Sequence, residues 1–156
     1  MQIQKPMPVS EQTLTEVAQQ VLEVMAFAFV APGDRRGDPA TVCMHATVRF
    51  SGPFSGDVRL SLPQAIVPAL VSNMLGDDEG CIPTERQQYD AVGELASVMC
   101  GNLVQILAGP EPVFTLRSPA VIVGTAASVR QAAASVTSAT VRLDESWAEL
   151  TLSLEA

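Results

Sequence analysis

One short run of this chain gathers residue types that could do chemistry together: Asp90, Glu94, Ser97 and Gly101. At about 100° per residue, a helix brings positions spaced i, i+4, i+7 and i+11 to one pole. Two carboxylates and a hydroxyl placed there make a short polar constellation of hydrogen-bonding groups on one helix face. The glycine leaves backbone uncovered one turn further on. A plain solvated helix face has the same pattern, so spacing alone does not decide between the two.

The helix itself is well signalled. Val92, Leu95, Ala96, Met99, Leu103, Ile106 and Leu107 recur at steps of three and four, which predicts a core-facing stripe on a helix over 85–108. Gly109-Pro110 stops it. A first helix is predicted over 11–30, N-capped by Ser10, with Leu14, Val17, Ala18, Val21, Met25 and Ala28 as its stripe. Alternation predicts strands over Thr41–Phe50 and Asp57–Leu62, then over Ser135–Leu143 and Trp147–Leu154 around an Asp144-Glu-Ser turn. Shorter extended pieces fall at Val113–Leu116 and Pro119–Val123. Between the first hairpin and the long helix, a helix over 63–75 contains Pro68, which predicts a kink or a late start. Asp77-Asp78-Glu79 reads as a solvated turn, and Arg35-Arg36 as loop charge.

Two stretches echo each other. Thr47-Val-Arg-Phe50 matches Thr140-Val-Arg-Leu143, and Val58-Arg-Leu-Ser-Leu62 matches Leu150-Thr-Leu-Ser-Leu154. A polar-faced helix precedes each hairpin. The repeated order predicts an α+β fold with a pseudo-two-fold internal duplication: one antiparallel sheet with long helices packed on one face. Residues 1–9 read as a loose lead-in and 10–156 as one domain.

Composition narrows the function. The 156 residues carry 17 acidic against 9 basic side chains, for a net charge of −8, and no basic stripe. That argues against nucleic acid and against anionic membranes as partners. The N-terminus lacks a signal-peptide core, so a cytoplasmic location is expected. Cys43, Cys81 and Cys100 lack CxxC spacing and read as reduced thiols, two of them buried. His45 is the only histidine, so no multi-histidine metal site is expected, and it reads as an ordinary strand residue. No GxSxG elbow, GxxxxGK loop or GxGxxG turn is present.

Phe50-Ser-Gly-Pro-Phe-Ser-Gly56, Leu60-Ser-Leu-Pro63, Asn73-Met-Leu-Gly76, Asp90-Ala-Val-Gly-Glu94, Cys100-Gly-Asn102 and Ser118-Pro119-Ala-Val-Ile-Val-Gly124 occur in an order that resembles the CheX/CheC/FliY chemotaxis phosphatases, CheX-like members most closely. The resemblance implies removal of phosphate from the aspartyl-phosphate of a CheY-like response regulator. It implies no cofactor of the protein's own, since Mg²⁺ resides in the regulator, and a homodimer joined through sheet edges. The family's active helix carries Asp/Ser-x3-Glu-x2-Asn with a proline some twenty residues later. Asp90, Glu94 and Pro119 fit that pattern, but Ser97 stands at the asparagine position. Asn102 is no substitute, lying about 80° and 140° around the wheel from Glu94 and Ser97.

The resemblance therefore makes Glu94 and Ser97 the catalytic pair, and Asp90, Glu94 and Gly101 the partner-binding residues. The alternative is a catalytically degenerate adaptor that recognises its partner without hydrolysis. On the first helix Glu16 and Gln19 repeat the i, i+3 spacing and form a second candidate pair, with an amide where the long helix has a hydroxyl.

Overall fold

The computed structural model describes residues 6–33, 35–76, 81–130 and 136–155. The chain runs α1 (Glu11–Ala26), β1 (Val30–Pro32), β2 (Val42–Ser51), β3 (Gly56–Pro63), α2 (Val67–Leu75), α3 (Glu85–Ala108), β4 (Thr115–Leu116), β5 (Ala120–Thr125), β6 (Val136–Leu143) and β7 (Ser146–Leu154). The strands form one sheet in the order β1-β6-β7-β3-β2-β4, with β5 also paired to β2. All pairings are antiparallel. The Asp77-Asp78-Glu79 turn and the proposed strand start at Ser135 lie outside the described residues.

The duplication is visible in the strand order. About a line between β7 and β3, hairpin β2–β3 mirrors hairpin β6–β7, and short β1 mirrors short β4. Each short strand follows the helix of its own half and pairs with the hairpin of the other half. Strand β5 is an addition to the second half.

Strand alternation sorts side chains to two faces. Met44, Ala46, Val48 and Phe50 of β2 join Val58, Leu60, Leu62, Val141, Leu143, Leu150 and Leu152 beneath the helices. Leu14 and Leu22 of α1 and Leu95, Met99 and Leu103 of α3 close that core from above, all fully buried. Helix α3 is long and apolar enough to cross a membrane, but its apolar stripe is core here.

Of the boundaries that differ from the sequence reading, three bear on the architecture. Helix α1 stops at Ala26 instead of 30, because Phe27 adopts the left-handed conformation (φ 53°) and Val30 starts a strand. Met25 is accordingly half-buried and Ala28 lies beyond the helix, while Leu22 and Ala26 fill the core. A left-handed turn on a β-carbon-bearing residue costs roughly 1–2 kcal/mol, which is why glycine usually takes this place. Only Thr115–Leu116 of the 113–116 stretch pairs, with Ser51 and Phe50 of β2. Pro68 sits in the first turn of α2 after a 3₁₀ turn at Gln64–Ile66, so the helix starts late and keeps its hydrogen bonds.

The other sheet face is polar and partly covered by a loop over residues 35–41. Glu149, 2 % exposed, accepts from Arg36 Nε at 3.1 Å and lies 3.5 Å from Arg130 Nη2. Arg130 also donates to the Gly37 carbonyl at 2.9 Å, and the Trp147 ring fills the space a β-carbon on Gly37 would need. Arg36 is thus an anchor for the loop, contrary to its reading as loop charge. A buried carboxylate requires such partners. Cys43 and Cys100 are buried and unpaired, their thiols pushed up to about 11 and about 12 mainly by burial, so both are inert.

His45 is fully buried. Its Nε2 lies 3.2 Å from the Gly124 and Thr125 carbonyls, which fixes the proton there, and Nδ1 accepts from Ser61 Oγ at 2.7 Å. Burial holds its pKa below the ordinary 6.5. The unfolded chain therefore takes up more protons once pH drops through about 6.5. Stability falls in that window until the folded pKa is reached. Thermal melts from pH 7.5 to 5.5 should show this decline in wild type and a flatter profile in His45→Gln; equal profiles would rule out a neutral buried His45.

Candidate functional site

Helix α3 begins at a capping box. Thr84 Oγ1 accepts from the Gln87 amide at 3.1 Å, and Gln87 Oε1 accepts from the Thr84 amide at 2.8 Å. That fixes the start, and the buried stripe fixes the rotation about the axis. Asp90 and Glu94 are then exposed, with Ser97 half-buried between them and the sheet.

A second wall comes from the β4–β5 connection. The Arg117 amide donates to Arg49 O at 2.9 Å, and Ala120 pairs with Thr47 on β2. Pro119, held between those anchors, rests on α3 at Gly93. A β-carbon on Gly93 would lie 2.9 Å from Pro119 Cγ, so only glycine permits this approach. Tyr89, Asp90, Glu94, Ser97, Ser118, Pro119 and Val121 together line a hollow of about 510 Å³.

Asp90, Glu94 and Ser97 are thus brought together, with Pro119 opposite them. Gly101 lies one turn beyond and lines a separate hollow of about 220 Å³ that shares no residue with the first, with open space where a β-carbon would stand. Ile106, read as part of the stripe, is 42 % exposed, while Cys100 and Val104 are buried instead. The sequence reading missed Tyr89, Ser118, Val121 and the role of Gly93. A glycine inside a helix costs about 1 kcal/mol relative to alanine, and that was the available signal of a close approach.

Among the described residues, the Glu94 carboxylate and the Ser97 hydroxyl have no hydrogen-bond partner, so both are free to engage another molecule. Asp90 faces Arg86 at 3.9 Å, both well exposed, a pairing too solvated to hold it. The two charged groups lining the hollow are acidic, so the site favours a cation. Tyr89 stays a neutral donor at its edge, its pKa raised first by desolvation and then by Glu85. No cluster of His, Cys, Asp and Glu that could hold a metal occurs among the described residues.

On α1 the corresponding pair is occupied. Glu16 accepts from Gln12 at 3.2 Å, and the Gln19 amide donates to Glu23 and to Val30 O, each at 3.2 Å.

Solved structures place the architecture among the CheX- and CheC-like proteins. A chemotaxis protein CheX from Desulfovibrio desulfuricans is 23 % identical, with 91 % of this chain and 96 % of that one aligned at a TM-score of 0.69. CheX in a CheX–CheY–BeF3–Mg complex from Borrelia burgdorferi is 16 % identical, covering 92 % and 96 % at 0.71. FliY from Thermotoga maritima is 11 % identical, covering 90 % and 84 % at 0.55. At these identities the likeness is one of fold. No curated protein matches. The sequence model of the chemotaxis phosphatase CheX matches residues 44–141, and the chain belongs to the CheX family.

Proposed function

We propose that this protein docks a CheY-like response regulator on the exposed pole of α3 and promotes hydrolysis of its aspartyl-phosphate. The observation that carries this reading is the convergence of Asp90, Glu94 and Ser97 with Pro119 on one hollow. The structural likeness to a CheX seen bound to CheY with BeF3 and Mg lends it support.

An acyl phosphate is already activated, and the regulator brings its own Mg²⁺. What a phosphatase adds is a water held in line with phosphorus and a contact that fixes the approach. Water oxygen bonds to phosphorus as the bond to the aspartyl oxygen breaks, releasing the carboxylate and inorganic phosphate. Glu94, with Asp90 beside it, receives a cationic side chain of the regulator. The Ser97 hydroxyl accepts from the attacking water or donates to it.

A second reading follows from Ser97 itself. Its hydroxyl ends about one bond, roughly 1.5 Å, short of where an asparagine amide would reach. A displacement of about 1 Å can cost on the order of 100-fold in rate. On that reading the protein is an adaptor that binds the regulator without turning it over. Both readings use the same docking face. The amide engagement of Gln19 favours α3 over the Glu16 and Gln19 pair on α1 as that face.

The footprint of a beryllofluoride-activated receiver tests the docking face. Amide shifts should cluster at residues 89–101 and 117–121; shifts confined to the sheet's outer face would refute it. A homodimer is part of the same proposal, with β5 as its edge. This strand pairs on one side with β2 and exposes Ile122 and Val123 at 56 % and 40 %. Sedimentation equilibrium giving only the 16.5 kDa monomer would remove that element.

A further inference from the structure

Away from the α3 site, and sharing no residue with it, lies a groove of about 710 Å³ between the C-terminus of α1, α2 and the β6–β7 turn. Its floor is apolar, built from Ile66, Ala69, Leu70 and Leu143. Phe27 forms one wall. Its backbone ends α1 in the left-handed conformation, where both its own amide and that of Ala28 donate to Leu22 O. The Asn73 amide donates to Ala26 O at 3.1 Å and ties α2 to the same helix end.

Phe27 is the anomaly of this region. Glycine would make that turn without strain. The ring gains little from folding, because the residue is 70 % exposed. A residue that strains the backbone and leaves its ring in water is placed for something other than folding. Phe29, 84 % exposed, and Val24, 68 % exposed, are two further solvent-facing apolar side chains within the same six residues of chain.

Charge narrows the occupant. The two charged residues lining the groove, Asp144 and Glu145, are both acidic. A second copy, with 9 basic against 17 acidic side chains, offers few cations to meet them, and the homodimer proposed above joins through β5 instead. An anionic lipid surface would be repelled by both carboxylates. We propose that this groove docks a peptide segment of a partner protein, one with a large apolar anchor flanked by lysine or arginine. The anchor packs against Phe27 over the Leu70–Leu143 floor, while the flanking cations meet Asp144 and Glu145.

The test is a selection from a random twelve-residue display library on wild type, counter-selected on Phe27→Gly. Enriched sequences should place Lys or Arg beside a large apolar residue. A labelled synthetic copy of the strongest should bind wild type and lose about 10-fold or more in affinity to Phe27→Gly. It should also weaken, with a smaller salt dependence, on the Asp144→Asn/Glu145→Gln double variant. Phe27→Gly itself should melt about 2–4 °C higher, so lost binding cannot be lost folding. No enrichment, acidic or uncharged winners, equal peptide binding by Phe27→Gly, or a lower melting temperature would each overturn the proposal. So would a change in oligomeric state on Phe27→Gly, which would make a second copy the occupant.

Discussion

Leu95→Asp should give no folded protein. Leu95 is fully buried in the α3 stripe, against the sheet core that includes Val48 and Leu60. Losing a buried leucine costs about 2–5 kcal/mol in comparable cores. The new carboxylate adds a further penalty of several kcal/mol, with no buried Lys or Arg among the described residues to receive it. A domain of this size is stable by only about 5–15 kcal/mol, so the sum consumes most or all of that margin. Met99→Asp, one turn along and equally buried, should behave the same way. Circular dichroism and a thermal melt decide it. A cooperative melt near the wild-type temperature would mean that α3 is rotated from the orientation described.

Glu94→Ala, next in the chain to Leu95, should have the opposite profile. Glu94 is exposed and bonds to nothing among the described residues, so its loss should shift stability by less than about 0.5 kcal/mol. Binding of an activated receiver should nevertheless weaken by about 30-fold or more. Truncating one member of a desolvated ion pair at an interface costs roughly 2–5 kcal/mol, and 1.4 kcal/mol is tenfold. Titration calorimetry reads it directly. Unchanged affinity would remove Glu94 from the interface, whereas a lowered melting temperature would assign it a structural role.

Much of this was legible in the chain. The end of α3 at 108 follows from Gly109-Pro110, and the structure reproduces the expected 85–108. Ser10 was readable as a cap because its hydroxyl accepts the Thr13 amide, as that residue type does at helix starts. The paired echoes around Thr47 and Thr140 foretold the mirrored hairpins.

What failed has specific causes. The predicted stripe continues through Met25 and Ala28, and apolar residues run on to Ala31, so nothing in the pattern marked the left-handed turn at Phe27. Strand β1 is three residues long, too short to alternate detectably, and of the 113–116 piece only the two residues of β4 pair. Arg36 looked like loop charge because its partner, Glu149, is 113 residues away. The far wall of the α3 hollow was half visible. Pro119 was placed by resemblance, but its seat on Gly93 is a tertiary contact that helical spacing cannot encode.

The central proposal is that Glu94 docks a response regulator and Ser97 orients water on its aspartyl-phosphate. Its most direct test is the lifetime of that phosphate on a CheY-like receiver from the same organism, alone and with wild type, Glu94→Ala or Ser97→Asn. The phosphatase reading predicts a shorter lifetime with wild type, no effect with Glu94→Ala, and an equal or stronger effect with Ser97→Asn. A lifetime shortened by Ser97→Asn alone would make the natural protein an adaptor. An unchanged lifetime with all three proteins would contradict the assignment of phosphatase chemistry to this face of α3.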